Sequence, residues 1–196
     1  MPEHCPPALF GKRIKLRCLE ERDAPALLEL YGDPEVMRYW CHGPWRTLNE
    51  AKAAIAEAHK EYAEGSSLHL VIEHLEQATL IGSCALYGMV AQERRATVGY
   101  LLSRSYWGQG YLKEALCVLL DYAMAELKIN RIEAEVRPGN MASCKALKAV
   151  GFKAEGYLRE RWLVGGAPCD VVLYALLHRD WRARGEYSSG AAFTRF

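Results

Sequence analysis

The sequence lacks long apolar runs and an excess of charge of either sign. No apolar run approaches the roughly 20 residues of a membrane-spanning helix, and the opening MPEHCPPALF has no basic stretch ahead of an apolar segment. The 25 basic and 24 acidic residues give a formal net charge of +1. Nucleic acid and anionic membranes would favour a strongly basic surface. We therefore expect a cytoplasmic protein that binds neither nucleic acid nor membranes.

The cysteines lack the spacing of a metal site or a disulfide framework. There are seven of them, at positions 5, 18, 41, 84, 117, 144 and 169, with no Cys-x-x-Cys pair. Disulfide frameworks use even numbers of cysteines in short secreted chains, and the six histidines add no metal-ligand spacing. We expect buried, reduced thiols and no metal.

The length of 196 residues and the hydrophobic content of 51% fit one domain with a sizeable core. Residues 1–11 are rich in proline, and residues 182–196 are polar with glycine and serine. We predict a loose N-terminal arm over 1–11, a domain over 12–181 and a flexible tail over 182–196.

Hydrophobic periodicity predicts a mixed α/β domain. Alternating or apolar runs predict strands at 13–19, 68–74, 80–89, 96–102, 131–137, 152–163 and 169–177. Helical patterns cover 23–31, 47–65, a long amphipathic stretch from 111 to 128, and 141–150, the second opening with the capping box Thr47–Glu50. Because a long helix joins strands 96–102 and 131–137, these two should be parallel, whereas the three strands over 68–102 should form an antiparallel meander.

A Gly-x-Gly turn, Gly108 and Gly110, precedes the long helix. Unpaired N–H groups and the helix dipole make such a start a candidate phosphate cradle. The Gly-Lys-Ser/Thr of a P-loop is absent. A dinucleotide fingerprint would need a third glycine where Lys113 stands, but Glu133 has the spacing of a ribose-binding acid, so that alternative stays open.

Residues 100–116, YLLSRSYWGQGYLKEAL, resemble the acetyl-CoA loop of the GCN5-related N-acetyltransferases (GNAT), in the form of the RimJ/RimL-like ribosomal-protein branch. Residues 130–152 resemble the next strand, the Asn-x-x-Ser helix start and the closing Gly-Phe of that family, and residues 32–40 also resemble the branch. The similarity spans about 12–181. It implies a single-domain GNAT fold: a mixed, mostly antiparallel sheet with two central splayed parallel strands, flanked by helices. It also implies acetyl-CoA as co-substrate and no metal.

The resemblance also implies how the coenzyme is held. The backbone of the glycine turn and of the first helical turn would bind the pyrophosphate. The residues implied are Trp107, Gly108, Gln109, Gly110, Tyr111, Leu112 and Lys113. Backbone N–H groups of Tyr100, Leu101 and Leu102 would face the thioester carbonyl and pair with the pantetheine arm like an added strand. Asn140 and Ser143 would lie near the thioester.

Acetyl transfer to an amine needs a base for the amine and a proton for the departing thiolate. Glu135, on the polar face of its strand, resembles the family's catalytic glutamate; the alternative is an exposed carboxylate paired with Arg131 or Arg137. Ser143 would donate the proton; the alternative is a helix-capping serine. The tyrosine acid of other family members falls at Leu147. We expect direct attack, with no acetyl-cysteine intermediate.

The acceptor would be a primary amine, with Tyr39, Trp40 and Trp162 lining its pocket. The aromatic cluster over 37–45, which also contains Trp45, has a place in the core as its alternative. A protein N-terminal α-amine fits the branch best, and a polyamine, amino acid or aminoglycoside is the alternative. A homodimer is possible. Two other functions stay open: a non-catalytic acyl-CoA sensor and a nicotinamide-binding oxidoreductase.

Overall fold

Eight strands form one open sheet in the computed structural model, which describes residues 5–184. They are β1 Leu9–Phe10, β2 Ile14–Cys18, β3 Leu68–His74, β4 Thr79–Val90, β5 Arg95–Leu102, β6 Arg131–Val136, β7 Lys153–Val164 and β8 Ala167–Leu177. The strand order across the sheet is β1-β2-β3-β4-β5-β6-β8-β7. Only β5 and β6 pair in parallel within the described chain. The predicted meander and the predicted parallel pair are both confirmed.

Helices cover both faces of this sheet. They are α1 Ala24–Gly32, α2 Pro34–Met37, α3 Leu48–Glu64, α4 Tyr111–Ala125, α5 Met141–Ala149 and α6 His178–Ala183. Side chains alternate between the two faces of a strand, so Leu70 and Ile72 pack with α4, whereas Val71 between them packs with α1 and α3. None of the helices within residues 5–184 is long and apolar enough to cross a membrane.

The start of α3 confirms the predicted capping box. The Thr47 side chain accepts a hydrogen bond from the Glu50 backbone, and the Glu50 carboxylate accepts one from the Thr47 N–H. The helix ends at Gly65, which adopts the left-handed conformation, with φ of 74°.

The two parallel strands diverge soon after they begin. Arg95, Ala96 and Thr97 of β5 pair with Arg131, Ile132 and Glu133 of β6, and the pairing then stops. Beyond Thr97, β5 stays paired with β4 on its other side, and β6 stays paired with β8. The edge of β5 from Val98 onward therefore faces a gap in the middle of the sheet.

The ends of the described chain correct two expectations. Leu9 and Phe10 were predicted to belong to a loose arm, but they pair with β2, and Leu9 is buried because it packs into the main core. Helix α6 continues past the predicted boundary between domain and tail at 181/182. It is held to the domain by Trp181, which packs into the same core. The expectations for 1–4 and for 185–196 lie outside the described residues.

The cysteine prediction is right for Cys84, Cys117 and Cys144, which are buried and form no disulfide, and wrong for others. Cys5 and Cys18 form a disulfide, and Cys41 is exposed. In the β1–β2 hairpin Leu9 lies opposite Leu16, so residues before Leu9 run beside residues after Leu16, which brings Cys5 to Cys18.

Candidate active site

A cavity of about 100 Å³ occupies the gap between β5 and β6. It brings together predicted residues that are far apart in sequence: Tyr39, Trp40, Tyr100, Leu101, Glu135, Asn140, Ser143 and Trp162. Leu102 and the turn over 107–113 are not part of its lining; they lie at and beyond the end of β5. The predicted acceptor side and the predicted catalytic residues thus meet in one place.

The Glu135 carboxylate faces this cavity and is held by two side chains of β7. Its Oε1 accepts hydrogen bonds from Arg161 Nε and Nη2, at 3.0 and 2.9 Å, and its Oε2 accepts one from Trp162 Nε1 at 2.8 Å. The Glu135 side chain is only 15% exposed. The alternative of a carboxylate paired with Arg131 or Arg137 is wrong in its partners, because the guanidinium groups of both bond elsewhere.

A bulge in β7 explains why Arg161 takes this place. The register with β8 shifts between Leu158 and Trp162, and Glu160 within the shift has a φ of 52°. Asp170 on β8 accepts the Glu160 N–H at 2.7 Å and the Tyr157 hydroxyl at 2.6 Å. A sequence pattern carries little information about such a bulge, so the bonds from Arg161 to Glu135 could not be predicted from it.

Ser143 bonds across the gap rather than capping its helix. Its hydroxyl oxygen lies 2.7 Å from that of Tyr100, while its backbone N–H donates to Asn140 Oδ1 at 3.1 Å. Asn140 is therefore the residue that caps α5, and the alternative of a capping serine is wrong. Burial raises the pKa of Tyr100, and the Ser143 hydrogen bond opposes this only in part, so the phenol stays neutral through the ordinary pH range.

The glycine turn ahead of α4 has the backbone that an anion cradle requires. Gly108 and Gly110 adopt positive φ values of 73° and 84°, a conformation that side chains with a Cβ disfavour. The Glu114 N–H donates to the Gly110 carbonyl at 3.1 Å, which is the first rung of the helix. The N–H groups of Tyr111, Leu112 and Lys113 come before that rung and have no intrahelical partner.

Two side chains hold the turn in place. Trp107 Nε1 donates to the Leu102 carbonyl at 2.7 Å, which fixes the indole against the end of β5. Arg13, between β1 and β2, donates from Nη1 to the Gln109 carbonyl at 3.1 Å, and its Nε lies 2.9 Å from the Glu114 carboxylate. Its guanidinium also stacks 4.1 Å from the centre of the Tyr111 ring. Sequence reasoning missed Arg13, because nothing local links it to a turn almost one hundred residues away.

One cysteine lies at the described site, and the others named here lie away from its lining. Cys41 lines the cavity and is exposed as a residue, but partial desolvation of its thiol raises the pKa, which disfavours the nucleophilic thiolate. Cys117 and Cys144 are buried and are not among the lining residues. Within residues 5–184, no three His, Cys, Asp or Glu side chains are grouped to hold a metal ion.

A glycine turn with the backbone of an anion cradle, next to a gap between parallel strands that holds a carboxylate and a hydroxyl, is the arrangement expected of a coenzyme A-dependent acyltransferase. Comparison with known proteins agrees, since a sequence profile described as the acetyltransferase (GNAT) domain matches residues 13–153. The chain belongs to the GNAT acetyltransferase family.

Individual relatives refine this assignment. The chain is 36% identical over 174 residues to the uncharacterized N-acetyltransferase p20 of Bacillus licheniformis, covering 88% of this chain and 97% of that protein. It is 26% identical over 182 residues to the [ribosomal protein uS5]-alanine N-acetyltransferase of Escherichia coli (strain K12), covering 88% and 92%. A spermidine N-acetyltransferase from Vibrio cholerae, solved with CoA and spermine, has the same fold, with a TM-score of 0.78 at 23% identity over 88% of this chain and 99% of that one.

These findings confirm the resemblance and the fold expected from the sequence. The protein is an acetyl-CoA-dependent N-acetyltransferase. The dinucleotide-binding alternative is wrong, because the sheet is mostly antiparallel and Glu133 is bonded to Arg131 and Arg95.

Proposed function

We propose that the enzyme acetylates the α-amine of a protein N-terminus, with Glu135 as the base and Ser143 as the proton donor. The observation that supports this most is the single cavity that Glu135, Ser143 and Tyr100 share at the point where β5 and β6 part. The named ribosomal-protein relative supports the choice of acceptor.

In this proposal the coenzyme lies across the gap. The backbone over Gly108 to Lys113 binds the pyrophosphate, and the open edge of β5 at residues 100–102 pairs with the pantetheine amides. Asn140 lies beside the thioester. The acceptor amine enters from the side of Tyr39, Trp40 and Trp162.

The reaction is a direct displacement on the thioester. The amine nitrogen attacks the carbonyl carbon, a C–N bond forms, and the C–S bond then breaks. The amine releases a proton to Glu135, directly or through a water, and the thiolate takes a proton from Ser143, which recovers one through solvent. An α-amine has an ordinary pKa of about 7.7–8.0, so a mild base is sufficient at neutral pH.

Glu135 keeps the capacity for this role although it is held by Arg161 and Trp162. A carboxylate has about four lone-pair sites that can accept hydrogen bonds. Arg161 occupies both sites on Oε1, and Trp162 occupies one of the two sites on Oε2. One site on Oε2 is therefore left for the acceptor or for a bridging water.

A polyamine is the second candidate acceptor, supported by the spermidine enzyme with the same fold. The test is acceptor profiling with acetyl-CoA, using a set of short peptides with free N-termini, the same peptides with blocked N-termini, and spermidine. Mass spectrometry locates each acetyl group. Acetylation at the α-amine of free peptides, with none on blocked peptides, is the expected result, whereas a strong preference for spermidine would overturn the proposed acceptor.

A further inference from the structure

A second and larger cavity, of about 200 Å³, lies beside the one in the gap. We call it the aromatic cavity. Helices α1 and α3 and the segment after α2 form its walls above strands β3, β4 and β5. In that segment His42 is exposed and Trp45 is partly buried. None of the catalytic steps described above uses it.

The walls of the aromatic cavity are largely aromatic. Tyr31 and Trp45 stack with their ring centres 4.1 Å apart and their planes at 11°, and Trp40 also lines the space. Rings of this kind bury large apolar groups well.

Polar contacts at the walls of the aromatic cavity include one between two lining residues and one to Glu61 outside the lining. The Tyr31 hydroxyl lies 2.9 Å from Ser83 Oγ, and His69 Nε2 lies 2.9 Å from the Glu61 carboxylate. Among the described residues that line the cavity there is no aspartate, glutamate, lysine or arginine. A charged group that entered would lose water and meet no carboxylate, ammonium or guanidinium group among the lining side chains, and His69 is already bonded to Glu61, so the walls favour an uncharged, apolar occupant.

The two cavities share a wall. Trp40, Tyr87, Gly99 and Tyr100 line both of them. A Cβ on Gly99 would meet the Tyr87 ring at 3.2 Å and the Trp40 ring at 3.3 Å, so the glycine lets both rings lie against β5. Burial raises the pKa of Tyr87 to about 12, with Glu135 adding to the rise, so the shared wall carries no charge from this phenol at neutral pH.

We propose that the aromatic cavity is the specificity pocket for the acceptor, and that it holds an apolar or aromatic side chain of the N-terminal residue whose amine reacts in the gap. This rests on the proposed function and adds the class of N-terminus. The size fits, since an apolar cavity of about 150 Å³ binds benzene. Peptides that begin with leucine, methionine or phenylalanine are then the preferred acceptors, ahead of alanine and well ahead of aspartate, lysine or a polyamine.

The test compares one peptide sequence with five different first residues: Phe, Leu, Ala, Asp and Lys. The wild-type enzyme should show kcat/KM for the Phe or Leu peptide that exceeds that for the Ala peptide by about 10-fold or more, because each buried methylene adds to discrimination. The variant Ala54→Leu places a larger side chain in the aromatic cavity from α3. It should lower the Phe-to-Ala ratio of kcat/KM by about 10-fold.

Ala56→Leu is the matched control, since Ala56 lies on the exposed side of the same helix and is not a lining residue. It should keep the wild-type ratio. Ala85→Val fills the same cavity from β4 and serves as a second variant if Ala54→Leu does not fold.

Each outcome decides the proposal. A preference for charged first residues or for spermidine would overturn the pocket assignment and leave acetyl transfer intact. An equal loss on all peptides with Ala54→Leu and Ala85→Val would also overturn it, since a pocket must act on the ratio. If acetyl-CoA binds and no amine is acetylated, the proposed function fails, and the pocket assignment fails with it.

Discussion

The hydroxyl oxygens of Tyr100 and Ser143 lie 2.7 Å apart, joining the strand on one side of the gap to the helix that follows the strand on the other. If Ser143 supplies the proton to the thiolate, this contact sets where that hydroxyl points. Ser143→Ala should then lower kcat by about 100-fold, the usual size of a general-acid contribution. Tyr100→Phe should lower kcat by about 10-fold, since it removes one positioning hydrogen bond.

Steady-state kinetics with saturating acetyl-CoA measures both effects. Ser66→Ala is the control, because its hydroxyl bonds the Glu61 carbonyl away from the gap. Wild-type kcat in Ser143→Ala would remove the serine from the mechanism.

Glu135 should matter most where the acceptor amine is still protonated. The variant Glu135→Gln is expected to have a lower kcat than the wild type at neutral and acid pH. Its kcat should approach the wild-type value toward pH 9, where an α-amine loses its proton unaided. A pH–rate profile from pH 6 to pH 9 measures this.

Glu133→Gln is the matched control for that profile, because Glu133 lies two residues earlier on the same strand, is also bonded to arginines and does not line the cavity. A profile of Glu135→Gln that runs parallel to the wild type would mean that another group accepts the proton.

Arg13 should affect coenzyme binding and not the chemical step. It bonds the Gln109 carbonyl and Glu114 and stacks on Tyr111, so it fixes the turn proposed to bind the pyrophosphate. Arg13→Ala is expected to weaken acetyl-CoA binding by about 10-fold, the value of one or two hydrogen bonds, with kcat at saturation retained. Isothermal titration calorimetry and kinetics separate the two. Lys12→Ala, at the exposed neighbouring residue, should bind as the wild type does; equal weakening in both variants would point to lost positive charge alone.

The Arg17–Asp23 ion pair makes stability depend on pH. Burial alone would raise the pKa of Asp23, but hydrogen bonds and charge from Arg17, with a backbone bond, outweigh it and lower the pKa. A lowered folded-state pKa means that the stabilisation is present above the unfolded value of about 3.9 and is lost as the pH falls. Asp23→Asn should therefore lower the free energy of unfolding by about 2 kcal/mol at pH 7, and by less near pH 3.5.

Urea denaturation at several pH values checks this, with Glu57→Gln as the control at an exposed ion pair with Lys60. A difference between wild type and Asp23→Asn that does not change with pH would contradict the assignment.

The sequence predicted the elements of this fold well because their signals are local. The capping box at Thr47, the Gly-x-Gly turn and the alternation along β2 each depend on a few neighbouring residues, and the structure has all three where they were expected. The parallel pair followed from the length of the helix between its strands. The short β1, by contrast, has two residues, too few for a periodic pattern to detect.

The site was harder to predict, because its contacts depend on register and on distant segments. Glu135 and Ser143 were named from the sequence, but the partner of each was not. Arg161 reaches Glu135 through a bulge that Asp170 fixes from the next strand, and Tyr100 meets Ser143 only because β5 and β6 part. The aromatic cavity needs α1, α3 and three strands at once, so no single stretch of sequence reveals it.

The short pairing between β5 and β6 also bears on how the molecule unfolds. Three residue pairs are all that join the block β1–β5 to the block β6–β8 within the sheet. Regions with few shared hydrogen bonds open more readily than a continuous sheet, so amide exchange in the free enzyme should be fastest along this seam. If the coenzyme binds in this gap as proposed, it adds hydrogen bonds between the two blocks, and its binding should slow amide exchange on both blocks together, including at amides that it does not contact.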